Sequence, residues 1–207
     1  MAKSGAVAGV DRGRPRDPGN DASILDAALD LLIERGAGGA SIEAIAKRAG
    51  VAKLTVYRRW QSKEDLLMAA LEYARSADVD VDAGTDTDAT GRSIDELVEF
   101  IAELLSRPRF RALMARVIGA SVDYPKLVKA YTERYLQPRL TALADTVRQA
   151  VDAGLFPPGT DPVAIQDVLS SAIGFVLLRG EDEVTAEQIA HRLRTLLRQM
   201  GYRAPAG

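Results

Sequence analysis

The sequence predicts an all-α protein of about nine helices, and three observations carry that expectation. Hydrophobic residues are 47% of the 207, enough for a packed core, while aromatics are only 5% and alanine and leucine abound, a composition that favours helices over sheets. Apolar residues recur at three- and four-residue spacing in one segment after another. No segment requires a strand.

Residues 1–20 have no apolar period and read as a flexible basic arm that includes "DRGRPRDPGN". Asp21 is the expected N-cap of a first helix in which Leu25, Ala28, Leu29 and Leu32 form the inward stripe. That helix should stop at Arg35-Gly36, a basic turn followed by a glycine free to take φ > 0. After the turn "GAGGA", Ser41 caps a second helix with Ile42, Ile45, Ala46 and Ala49 on one face, and Gly50 ends it. A third helix runs from about Ala52 to Trp60. Helices this short are marginal alone, so all three must share one small core.

Ser62 caps a fourth helix with Glu64 and Asp65 in its first turn and Leu66, Leu67, Ala70, Leu71 and Ala74 facing inward, ending near Ser76. The stretch "SADVDVDAGTDTDATG" that follows has no core-forming face and is expected to be an exposed linker. Its alternating acids lack the glycine and terminal glutamate of a calcium loop at the required spacing, so no metal site is expected.

Ile94, Leu97, Val98, Ile101, Leu104 and Leu105 mark a fifth helix, and Pro108 opens a sixth with Phe110, Leu113, Met114, Val117 and Ile118. A long seventh helix covers Pro125 to Ala153; Pro138 removes a backbone donor inside it, which predicts a kink or break between Leu136 and Leu140. Asp161-Pro162 starts an eighth helix reaching about Leu178. Ile189, Leu193, Leu196, Leu197 and Met200 give a ninth.

The absence of cysteine excludes disulfides and thiolate chemistry and fits a reducing compartment. Neither a signal peptide nor an apolar run long enough to span a bilayer is expected, so no membrane partner is expected and the cytoplasm is the default location. The formal net charge of −2 conceals an asymmetry: residues 1–65 hold 11 Lys/Arg against 9 Asp/Glu, and the remainder 16 against 20. Between Lys47 and Lys63 stand Lys47, Arg48, Lys53, Arg58, Arg59 and Lys63 with no acid. That local field suits a polyanion.

Two helices joined by a glycine-containing turn, the second short and basic, form the helix-turn-helix arrangement that places side chains in a major groove. With Ile42, Ile45, Ala46, Ala49, Val51, Val56 and Trp60 as core, Lys53, Leu54, Thr55, Tyr57, Arg58 and Arg59 keep outward access. Arg and Lys can reach guanine O6 and N7, Thr a base edge or a thymine methyl, and the Tyr57 hydroxyl a phosphate. Lys63, at the amino end of the fourth helix, is placed for a phosphate.

The stretch "SIEAIAKRAGVAKLTVYRRWQSKEDLL" resembles the amino-terminal DNA-binding domain of the tetracycline-repressor (TetR) family of bacterial regulators. The match is densest at Ile45-Ala46, Ala49-Gly50-Val51, Thr55-Val56-Tyr57, Trp60 and Lys63. The resemblance implies that Lys53, Leu54, Thr55 and Arg59 face base edges, that Tyr57 and Lys63 bind phosphates, and that Ser41 and Glu43 touch backbone or base. Ala52 stands where the family commonly has a capping serine, and Leu54 is bulkier than usual. Arg12, Arg14 and Arg16 in "RGRPR" suit a narrow minor groove, the alternative being a solvated tail.

The resemblance also implies that residues 21–65 form the DNA-binding domain and residues 66–207 a helical domain for ligand binding and dimerisation. The expected partners are a near-palindromic duplex operator, a second copy of the chain and a small-molecule effector that releases a repressor. Val168, Ala172, Phe175, Val176, Leu193, Leu196 and Leu197, on the eighth and ninth helices, are the expected dimer interface. Phe110, Met114, Arg116, Tyr131, Tyr135 and Phe175 combine apolar bulk with polar tips and are the candidate ligand-cavity residues, against their being ordinary core. An enzyme and a helical adaptor are the rival classes. His191 is the only histidine, and no hydrolase, zinc-protease, phosphate-loop or dinucleotide signature is present. No catalytic residue and no cofactor are expected.

Overall fold

The computed structural model describes residues 18–76, 92–179 and 184–205. Counting the long interrupted helix as one, these residues form nine helices and no strand. They are α1 (Pro18–Gly39), α2 (Ile42–Arg48), α3 (Lys53–Tyr57), α4 (Lys63–Ser76), α5 (Ile94–Ser106) and α6 (Pro108–Gly119). Then come α7 (Pro125–Tyr131, a π-helical turn Thr132–Leu136, and Gln137–Asp152), α8 (Pro162–Arg179) and α9 (Ala186–Gln199). The basic arm up to residue 17 and the acidic stretch 77–91 lie outside the described residues.

Helix α1 starts one turn earlier than its sequence suggests. Pro18 supplies the first helical φ, and Asp21 lies in the first turn, where a carboxylate opposes the helix dipole, instead of capping it. The expected stop at Gly36 is present: its φ of 71° breaks the helix. Ile24, Ala28, Leu29 and Leu32 of α1, Ile45 of α2, Val56 of α3 and Leu66, Leu67 and Ala70 of α4 are almost wholly removed from solvent. Trp60 packs against the same core, half-buried. Helix α4 runs unbroken across residue 65 and packs against both α1 and α7, so the expected domain division falls inside a helix shared by head and body.

In the body, α5 packs against α6, α7 and α9, while α8 covers α6, α7 and α9. Pro138 does not break α7. Its missing N–H and the bulk of its ring are accommodated by widening the preceding turn, with the Gln137 N–H donating to Thr132 O, five residues back. Of the expected kink or break, the break does not occur: the helix stays continuous, and the disturbance takes the form of a π-helical turn.

Two capping boxes, Ser93 with Glu96 and Thr185 with Gln188, define the starts of α5 and α9. At the other end of α5, the buried Arg111 guanidinium donates through Nη1 to Leu105 O and Ser106 O, both at 2.7 Å. Arg111→Met keeps the volume but leaves two helix-end carbonyls without that donor, and should cost about 1.5–3 kcal/mol. A urea titration checks this as a lower midpoint with unchanged slope.

Candidate nucleic-acid interface and regulatory core

The turn between α2 and α3 is built by Gly50, whose φ of 67° lets the chain reverse; Val51 N–H closes it on Ala46 O at 3.0 Å. Ser41 caps α2 by accepting from Ala44 N–H at 3.2 Å. At the start of α3, Ala52 has extended capping backbone but no side chain to bond, so the helix lacks that brace. Five residues long, α3 is held by Val56, its one buried side chain.

With Val56 turned inward, the opposite face is presented to solvent. Leu54 is 60% exposed and Tyr57 46%; Lys53 and Arg58 are exposed beside them, and Thr55 is half-buried. Lys53 is ion-paired with Glu43 of α2 and lies 5.4 Å from the centre of the Tyr57 ring. Its hydrogen bond to Lys53 holds the Glu43 carboxyl below the ordinary range. Glu43 thus steadies the recognition-helix lysine.

Two expected contacts are placed differently. The Arg59 guanidinium, with 17% of its side chain exposed, is ion-paired with Asp21 of α1 and donates to Thr55 O at 3.1 Å. It ties α3 to α1 instead of facing a base edge, because Asp21 lies in the first turn of α1. Lys63 turns toward the body: its Nζ donates to Ala37 O at 3.0 Å and to the Tyr124 hydroxyl at 2.8 Å. Arg12, Arg14 and Arg16 lie outside the described residues.

Of the six candidate cavity residues, four come together. Phe110 and Met114 are one turn apart on the buried face of α6, and the Tyr131 hydroxyl of α7 donates to Met114 Sδ at 3.0 Å. The Tyr131 and Tyr135 rings lie 5.5 Å apart. Burial pushes the Tyr131 phenol pKa up, against the pull of the Arg139 guanidinium hydrogen-bonded beside it. Elsewhere in the body, α5, α7, α8 and α9 line an apolar void of about 10 Å³ between Ile101, Leu143, Leu169 and Ile173, room for a water molecule and no more; none of the four clustered residues lines it.

Arg116 and Phe175 do not belong to that cluster. Arg116 lies on the outside of α6, where Nε donates to Ile33 O at 3.1 Å and Nη2 to Glu34 O at 3.0 Å, satisfying carbonyls at the end of α1. Phe175 is 58% exposed. It continues a stripe with Val168 and Leu178 along the outer face of α8, flanked by half-buried Ala172.

The α9 half of the expected interface is different again. Leu193 and Leu197 are fully buried against α5, Val176 of α8 is buried too, and Leu196 is half-buried. The apolar stripe of α9 is consumed within the chain, while its outer face carries His191, Arg192 and Arg198. By length and composition alone, α8 is apolar enough to cross a bilayer, which the sequence expectation of no such run did not allow for.

Sequence reasoning gave Asp21 only a capping role, and it missed Tyr124 and Asp30, whose carboxylate pairs with Arg109 of α6 at 2.6 Å. Their partners are far along the chain, and no local spacing announces them.

Comparison with known proteins agrees with this geometry. Residues 24–70 match the family model "Bacterial regulatory proteins, tetR family", and residues 85–196 match "Tetracyclin repressor-like, C-terminal domain". The uncharacterized HTH-type transcriptional regulator YdeS of Bacillus subtilis is 31% identical over 180 residues, 84% of this chain and 85% of that one. The DNA-binding transcriptional repressor TetR of Mycobacteroides abscessus is 29% identical over 183 residues, covering 88% and 79%. Among solved structures, a transcriptional regulator from Saccharomonospora viridis in complex with choline superposes with a TM-score of 0.70 at 22% identity, covering 91% of this chain and 100% of that one. NalD, the secondary repressor of the MexAB-OprM efflux pump in Pseudomonas aeruginosa, gives 0.69 at 20% identity, with 90% and 97% covered. A head in which a glycine turn presents a basic five-residue helix, joined to a helical body and matched along both parts, identifies the chain as a member of the TetR family of helix-turn-helix transcriptional regulators.

Proposed function

We propose that the chain is a cytoplasmic, homodimeric repressor that reads a near-palindromic operator with α3 and is released by a small molecule entering its body. The observation that carries the reading is α3 itself. A helix that keeps one residue for its core and turns Lys53, Leu54, Tyr57 and Arg58 to solvent has the shape and charge of a major-groove probe. Residues 21–65 would be the DNA-binding unit and 66–207 the sensor and dimerisation unit. Lys53, Leu54 and Thr55 would face bases, with Tyr57, Arg58 and, once turned outward, Lys63 on phosphates.

The exposed stripe Val168, Phe175 and Leu178 on α8 favours a second copy as its cover, since two-fold pairing buries one patch against itself. Such a pair would set two recognition helices about 34–36 Å apart, one DNA turn. The effector site is proposed at the Phe110, Met114, Tyr131 and Tyr135 cluster, which would have to open, because all four side chains are buried in the packed core. A ligand that binds the opened body better than the closed one shifts the population, and Arg109 and Arg116 of α6 carry that shift to Asp30, Ile33 and Glu34 of α1. A relative of this fold was solved with choline, which fits a small-molecule effector here.

The test is selection from a pool of random duplexes by the full chain. A conserved inverted repeat retained against excess competitor DNA is expected; failure to enrich any sequence would reject the reading.

A further inference from the structure

Lys63 joins the two halves of the molecule by a contact with a direct competitor. Its ammonium has three N–H donors and no acceptor. One reaches Ala37 O at 3.0 Å, in the turn that ends α1, and another reaches the Tyr124 hydroxyl at 2.8 Å. Nζ also lies 4.2 Å from the centre of the Tyr124 ring, within cation–π range. Two of the three donors are thus engaged, and the contacts turn the ammonium toward the body.

We infer that Tyr124 is a positioning residue that competes with operator phosphate for Lys63, so that the corner between α6 and α7 sets DNA affinity through one side chain. This rests on the phosphate role given to Lys63 above. Two arrangements follow. In the latched one, drawn here, Lys63 is withheld from DNA; in the open one it swings to the phosphate and Tyr124 is left to solvent.

The placement of Tyr124 makes it a suitable competitor. It belongs to the body, immediately before Pro125 opens α7, and its N–H donates to Ala120 O at 2.8 Å, which fixes it to the end of α6. Two turns further along α7 stands Tyr131, in the buried cluster proposed for the effector. A rigid helix therefore connects that cluster to the latch. The seam between the halves is also loosely filled: a cleft of about 220 Å³ lies between Gly36 and Gly38 on one side and Ala115, Gly119 and Asp123 on the other. A Cβ on Gly38 would stand 3.9 Å from the Tyr124 hydroxyl, so no bulky wall confines the ring. Arg116 lines the same cleft and bonds across it to Ile33 O and Glu34 O, so it is the side chain that must give when the corner moves.

A merely structural staple would look similar at rest but behave differently. It would lower the melting temperature when cut and leave DNA affinity independent of Lys63. The experiment uses the full chain as wild type, Tyr124→Phe, Lys63→Ala and the double variant, with a labelled duplex enriched from the random pool, titrated by fluorescence anisotropy at several salt concentrations. Tyr124→Phe removes the hydroxyl and keeps the ring. It is expected to tighten operator binding about three- to tenfold, the net worth of one ordinary hydrogen bond withdrawn from competition, and to steepen the salt dependence toward one more phosphate contact. In the Lys63→Ala background the same change is expected to do nothing.

Unchanged or weakened binding by Tyr124→Phe, or an equal gain in the Lys63→Ala background, would overturn the inference while leaving the phosphate role intact. Lys63→Ala that binds with wild-type affinity and salt slope would instead remove the phosphate role itself, and the competition with it.

Discussion

Under the proposed pairing of two copies through α8, Phe175→Glu is expected to leave a monomer with its helix content intact. The physical case lies in the unequal faces of α8. Ile165, Leu169 and Val176 are buried within the chain, whereas Phe175 and Leu178, at 58% and 69% exposed, face away from it. Cover by a second copy would bury both, and two-fold symmetry would place each substitution at the interface twice. Removing a large aromatic anchor typically costs 2 kcal/mol or more, and an unpaired carboxylate taken out of water adds several. The dimer dissociation constant should rise at least about a thousandfold, roughly 4 kcal/mol. Operator affinity should fall with it by about 10²–10⁴, because a monomer loses the local concentration supplied by its twin. Sedimentation velocity reads the first effect and anisotropy the second; a Phe175→Glu protein that still sediments as a dimer would place the interface elsewhere.

Val56→Asp is the complementary case, expected to destroy the head and spare the body. Val56 is wholly buried and is the single inward side chain of α3. Burying a carboxylate there, among Ile45, Leu66 and their neighbours, costs several kcal/mol without a partner. A five-residue helix without a side-chain cap has no stability of its own to absorb that. Circular dichroism should show the loss of a minor part of the helical signal, with specific DNA binding undetectable and dimerisation retained. Full operator affinity in Val56→Asp would mean that α3 is not braced as described.

The two variants separate what the sequence revealed from what it hid. The head was legible because its signals are local: Ser41 and Gly50 bracket α2, and the apolar spacing sets Val56 inward and Leu54 and Tyr57 outward within a few residues. The partners that hold Arg59 and Lys63 here, Asp21 and Tyr124, were hidden because they are 38 and 61 residues away, and periodicity does not reach across helices. Leu193 and Leu197 show the same limit. Their stripe was correctly apolar, but a stripe does not say whether a neighbour in the same chain or a second copy covers it. Pro138 signalled a disturbance in α7, which takes the form of a widened turn and not of a break.

The central claim is that α3 lies in the major groove of duplex DNA, and interference mapping tests it most directly. Methylation of guanine N7, which sits in the major groove, should block binding at two clusters about one helical turn apart. A protein with Leu54, Tyr57 and Arg58 changed to alanine should lose that pattern while keeping its melting temperature, since all three side chains point to solvent. Interference confined to the minor groove, or a pattern that survives the triple substitution, would contradict the account.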